Sequence, residues 1–92
     1  MDTTTMLAQL KVDLGITTDA YDNRLTQYLN AAAGQIAREG ITLDSSKADD
    51  ALLQVMYAAW MWRRRDSGEG MPRMLRYQMN NRLFQEKVTA ND

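Results

Sequence analysis

Between Ala51 and Trp62 the chain offers one strongly polar side chain, Gln54. The segment holds no glycine or proline and is rich in alanine, leucine and methionine, which predicts a helix. A helix apolar on nearly every side has to be enclosed. The whole protein has only 92 residues, enough for one hydrophobic core and not two. Either the rest of the chain surrounds this helix, or a second molecule helps.

The rest of the chain reads as three further helices. Proline occurs once, and no stretch sustains the apolar–polar alternation of a strand. The expected fold is all-α: a small four-helix domain with a single core over residues 1–92, frayed at about 1–4 and 89–92.

A first helix is predicted from about Thr5 to Leu14, capped by Thr4 or Thr5, with Met6, Leu7, Leu10 and Leu14 on one stripe. Gly15 supplies a left-handed stop and Ile16 packs back on it. A second helix starts at Thr18 or Asp19, with Asp19 and Asp22 at the positive end of its dipole. Tyr21, Leu25, Tyr28, Leu29, Ala32 and Ile36 make its apolar face, and Gly40–Ile41 repeats the stopping device.

The third helix, about Lys47 to Arg65, is capped by Ser45 or Ser46, with Asp49 or Asp50 in its first turn. Leu52, Val55, Met56 and Ala59 form its central stripe. A central core helix accounts for that stripe. It accounts less well for Tyr57, Trp60, Met61 and Trp62 together, which are expected at a subunit interface. The triplet Arg63–Arg65 complements the negative helix end, and Asp66–Gly70 reads as a flexible turn.

Pro72 opens a fourth helix that reaches about Val88. Leu75, Met79 and Leu83 make one apolar row; Tyr77, Phe84 and Val88 make a second. Arg73, Arg76, Asn80 and Lys87 lie between them. Such a helix fits between its own domain and a neighbour, or in a groove with one solvated side.

Charge is uneven along the chain. Met1 to Trp62 carries four bases and eight acids, a balance of −4, while Arg63 to Asp92 carries seven bases and four acids, a balance of +3. Opposite halves can pair between copies, or can simply be two solvated faces.

Catalytic chemistry is poorly served. The sequence contains no histidine or cysteine, so no imidazole- or thiolate-based nucleophile or metal site is available. The acids fall at helix starts, and Gly68 and Gly70 lead into Met71–Pro72 instead of a phosphate loop. No enzyme activity, cofactor or small-molecule substrate is expected. No apolar segment approaches the roughly 20 residues of a membrane span, and the N-terminal residues lack the pattern of a signal peptide. A soluble protein, made in the cytoplasm, is expected. Arg63, Arg64, Arg65, Arg73, Arg76 and Arg82 could meet phosphates, but a net charge of −1 argues against a dedicated DNA-binding domain. A small regulator that binds DNA as a dimer, or an antitoxin-like interaction module, are the competing expectations.

Two stretches carry a family resemblance. One is Leu7, Leu10, Lys11, Leu14, Gly15 and Ile16, followed by Asp19, Asp22, Leu25, Leu29, Ala32, Ile36 and Gly40. The other is Met56–Ala59, the run Arg63–Arg65, and Met71–Arg76 leading into Asn80–Phe84. Together they resemble the small helical head–tail connector, or DNA-packaging, proteins of tailed bacteriophages and prophages. The resemblance implies a homo-oligomeric ring beneath the portal protein, joined on its other side to a tail-side adaptor or stopper protein. DNA would pass through without sequence-specific binding, and the location would be the virion head–tail junction after assembly in the host cytoplasm. The residues expected at subunit or portal contacts are Tyr57, Trp60, Met61, Trp62, Arg64, Arg65, Arg73 and Arg76. Arg73 and Arg76 of one subunit are expected to meet Asp19 or Asp22 of the next.

Overall fold

The computed structural model describes residues 1–44 and 46–90. It is all-α: α1 (Thr3–Leu14), α2 (Asp22–Arg38), α3 (Ala48–Ser67) and α4 (Arg73–Ala90). Ser45, one of the two expected caps, and the frayed end Asn91–Asp92 lie outside the described residues.

Helix α1 begins two residues earlier than the threonines suggest. Asp2 is the cap, and its Oδ1 accepts the Thr5 backbone N–H at 2.8 Å. That bond holds the Asp2 carboxyl below its ordinary pKa. A carboxylate satisfies an orphan N–H as well as a hydroxyl does and adds charge at the positive helix end. The predicted fraying of residues 1–4 is therefore corrected: Thr3 and Thr4 are helical, and Met1 packs against the core. Gly15 stops the helix at φ 70°. Its N–H and that of Ile16 bond to the Val12 and Lys11 carbonyls at 3.2 and 2.9 Å, so the expected left-handed stop is present.

Helix α2 starts later than predicted. Thr18–Tyr21 forms a turn instead, in which the Asp22 N–H donates to the Asp19 carbonyl. The carboxylates of Asp19 and Asp22 are drawn to Lys11 of α1, whose Nζ lies 3.2 and 2.9 Å from them. A cross-helix cation holds Asp19, an expected cap, in the turn ahead of the helix, while Asp22 keeps its expected place in the first turn of α2. At the far end Gly40 takes φ 102° and Ile41 folds back into the core, 1 % exposed. A Cβ at Gly40 would sit 3.4 Å from Leu83 of α4, so this turn also admits the last helix.

Helix α3 runs through Asp66 and Ser67, two residues that the sequence assigns to the flexible turn, and stops at Gly68, φ 65°. Ser46 does not cap it. The N–H and hydroxyl of Ser46 both donate to Asp44 Oδ1, and the cap residue is Lys47, without a side-chain cap bond. Pro72 stands just ahead of α4, and its carbonyl accepts the Arg76 N–H at 3.0 Å. Thr89 and Ala90, expected to fray, continue α4.

Helix α3 lies at the centre, packed against α1, α2 and α4, while the backbone of α4 approaches only α3 among the helices. One continuous core results. Leu10 of α1, Leu25, Leu29, Ala32 and Ile36 of α2, and Val55 and Ala58 of α3 are fully buried, each leucine contributing roughly 1.5–3 kcal/mol. From α4, among the described residues, only Leu75 and Met79 reach the same depth. The molecule measures 47 × 29 × 18 Å. Its shortest side spans fewer than two helix diameters of roughly 10–12 Å, so an edge helix keeps one face in solvent.

Candidate functional site

The aromatic residues expected at a subunit interface are mostly used inside the protomer. Tyr57 and Trp60 are buried, with 7 % and 9 % exposure, which corrects their assignment to an exterior patch. They pack edge to face at 5.3 Å, and the Trp60 indole N–H donates to the Glu69 carbonyl. Burial pushes the Tyr57 hydroxyl pKa up, with Glu39 adding to the shift. Trp62 is half-buried between Tyr21 and Tyr28, with ring centroids 5.7 and 5.3 Å away. It clamps the start of α2 to the end of α3, and such pairs add about 0.5–1.5 kcal/mol each beyond burial. Met61 is half-buried against the core. The reason is topological: three helices surround α3, more completely than chain length alone suggested.

The arginines divide. Arg64 stacks 4.6 Å over the Trp60 ring and Arg65 3.7 Å over Trp62. Both are exposed, and both guanidinium groups are fixed in direction by the ring beneath. Arg63 donates to the Asp13 carbonyl of α1 at 3.0 Å. Arg76 forms an ion pair with Glu39 of the same chain at 3.2 Å. Asp19 and Asp22 are held by Lys11. The expected pairing of Arg73 and Arg76 with those acids on a neighbour therefore loses most of its free groups. Arg73 is exposed and, among the described residues, makes no ion pair.

Arg82, counted above among possible phosphate ligands, is structural. It forms an ion pair with buried Asp50, donates to the Thr42 carbonyl at 2.9 Å and meets Glu86 at 3.2 Å. Glu86 in turn accepts the Thr42 N–H at 3.0 Å. Asp50 also accepts the Asp44 N–H at 2.7 Å. This network ties the second half of α4 to the loop after α2 and to the start of α3. The Thr42 N–H and the Arg82 cation hold the Glu86 carboxyl below its ordinary range.

The exposed apolar surface lies elsewhere. Leu52, placed by its spacing in the central stripe, is 41 % exposed, because α4 does not extend over that side of α3. On α4, Met74, Tyr77, Phe84 and Val88 are all exposed, Phe84 at 69 %. Tyr77, Phe84 and Val88 are the second apolar row read from the sequence; Met74 and Leu52 were not singled out as exposed. The signal for Met74 was present in the spacing, since residues 74, 77, 81, 84 and 88 alternate steps of three and four. That alternation defines a single seam along a helix.

An open groove of about 850 Å³ runs beside this seam, between α3 and α4. Leu52, Leu53 and Met56 line its α3 side, and Gln78, Asn81 and Gln85 its α4 side. Its charged lining comprises Asp44, Asp49, Asp50 and Glu86 against Lys47 and Arg82, an acidic balance. Among the described residues no cluster of acids is placed to hold a metal ion, and no helix is long and apolar enough to cross a membrane. What the surface offers is exposed apolar area on α4 beside an acidic groove. Comparison with family models, curated proteins and solved structures found no match.

Proposed function

We propose that the protein is a structural assembly component of the head–tail connector type, acting as a ring of identical copies between a phage portal and the tail-side adaptor or stopper protein. The observation that carries the reading is the row Met74, Tyr77, Phe84 and Val88, apolar and outward-facing on a helix whose opposite side is fixed to the core. Apolar residues gathered along one exposed helix face mark a contact surface. The same helix contains much of the segment that resembles the connector family, Met71–Arg76 and Asn80–Phe84. The arginines held over Trp60 and Trp62 supply fixed cations at one end of α3, suited to portal carboxylates or to passing phosphates. In this reading the protein catalyses nothing and needs no cofactor; its work is done by surface complementarity.

Electron microscopy of the concentrated protein, alone and with portal rings from the phage or prophage that encodes it, tests the reading. Annular particles, or added density beneath the portal, are expected. Failure to bind the portal, together with salt-sensitive affinity for a specific short duplex, would identify a DNA-binding regulator instead. A stable complex with one copy of some other protein, and no ring, would identify an interaction module.

A further inference from the structure

We infer that α4 of one copy lies in the α3–α4 groove of the next copy, so that the contact between identical chains joins two different surfaces. The inference rests on the assembly reading above only in taking identical chains as the assembling units. Its geometry comes from the two surfaces themselves.

The outward seam of α4 has the spacing of a helix that meets another helix side by side. Met74, Tyr77, Asn81, Phe84 and Val88 occupy successive core positions of two heptads, with Asn81 as the single polar member. A lone asparagine in such a seam fixes alignment, because it needs a polar partner in an otherwise apolar contact. The flanks differ. On one side stand Gln78 and Gln85, which face the groove of their own copy. On the other stand Arg73 and Lys87, exposed and without an ion-pair partner among the described residues.

Two copies of α4 could meet seam to seam, but the flanks oppose it. An antiparallel pair would set Arg73 of one helix beside Lys87 of the other, like charge against like. A parallel pair would set Arg73 against Gln78, with no ion pair formed there. The groove offers the matching sign. Asp49 is exposed on its α3 side and makes no ion pair among the described residues, and Asp44 lines the same groove. Leu52 and Met56 line the same groove as those acids and offer apolar surface to Tyr77, Phe84 and Val88. Gln78 and Gln85 line the groove, so the incoming Asn81 finds amide partners there in the receiving copy. A basic, apolar helix meets an acidic, apolar groove.

Because helix and groove are different surfaces, the contact is head to tail. Repeated, it closes into a ring or runs on as a filament. It does not stop at a two-fold dimer.

Complementation between two full-length variants tests this. Phe84→Asp spoils the helix and leaves the groove intact; Leu52→Asp spoils the groove and leaves the helix intact. Both residues are exposed, so both variants should keep wild-type helical content and melting temperature. Each alone should remain monomeric by sedimentation at concentrations where the wild type associates. Mixed, they should form a one-to-one heterodimer and no larger species, since the mixture retains one intact helix and one intact groove. A mixture that stays monomeric while the wild type assembles would overturn the inference and leave the connector reading standing. A wild type that stays monomeric up to about 1 mM, where even a contact worth only about 4 kcal/mol would be visible, would also overturn it. The connector reading would then depend on its own test with the portal. Self-association that survives in Leu52→Asp alone would indicate a seam-to-seam dimer and overturn it as well.

Discussion

Helices α2 and α4 are nearly equal in length, and both are amphipathic by spacing, yet the protein uses them differently. In α2 four members of the apolar face, Leu25, Leu29, Ala32 and Ile36, are fully buried against α1 and α3, Tyr28 is half-buried, and only Tyr21, just ahead of the helix, is exposed. In α4 one apolar row, Leu75 and Met79 with partly buried Leu83, docks on the core, while a second row faces water. The second helix is held by apolar contact. The fourth depends on two such anchors and on the polar network around Arg82. A helix with one apolar face is satisfied within its own chain, whereas a helix with two has a face left over. In the proposed reading that surplus face is where a partner belongs.

The contrast can be broken most severely at its packed end. Leu29→Ala should lower unfolding free energy by about 2–5 kcal/mol, since the cavity opens where three helices meet. Denaturant titration would measure it, and a loss below about 1 kcal/mol would show that α2 is less tightly packed than its burial implies. Asp50→Ala should cost less, about 2–3 kcal/mol, because Arg82 keeps some access to water and Glu86 remains beside it. Its distinctive result should be local: amide exchange in α4 should accelerate far more than exchange in α2. Equal acceleration in both helices would mean that α4 is not a separately anchored element.

Acid sharpens the same comparison more gently. Glu86 has its pKa depressed below 4.5 in the folded state. Its contribution to stability is therefore complete above the unfolded carboxylate value and is lost as the pH falls through the lower folded one. Amide exchange in α4 should rise across that acidic window before α2 responds, and Glu86→Gln should abolish the Glu86 part of the pH dependence. The smallest effect on the monomer is expected at the surplus face. Phe84→Asp should change unfolding free energy by no more than about 0.5 kcal/mol, while removing self-association. A large destabilisation would show that Phe84 supports the fold, and the contact surface would have to be sought elsewhere.

Much of the secondary structure was legible in the residue pattern. Gly15–Ile16 and Gly40–Ile41 terminate their helices as expected, Pro72 stands at the opening of α4, and the faces of α2 and of the Leu75–Leu83 row point inward. Helix starts were less legible. Asp2 displaced Thr4 and Thr5 as the cap, and Asp19 pairs with Lys11 ahead of α2, while Asp22 pairs with Lys11 from the first turn of α2 where it was expected. Several acids and hydroxyls can cap any one helix, and the choice among them depends on which is claimed by a distant cation.

The proposed contact surface was half legible. Tyr77, Phe84 and Val88 stood out by spacing as a face of their own, whereas Tyr57, Trp60, Met61 and Trp62 were assigned outward because they fall outside the central stripe of α3 and are aromatic or methionine. Large aromatic side chains favour interfaces and interiors alike, because both remove the same apolar area from water. Residue order determined that this protein is four helices, where most of them stop, and which residues share a face. Only the packing of those helices decided which faces are covered, since periodicity records how a helix is sided and carries no information about what lies opposite it.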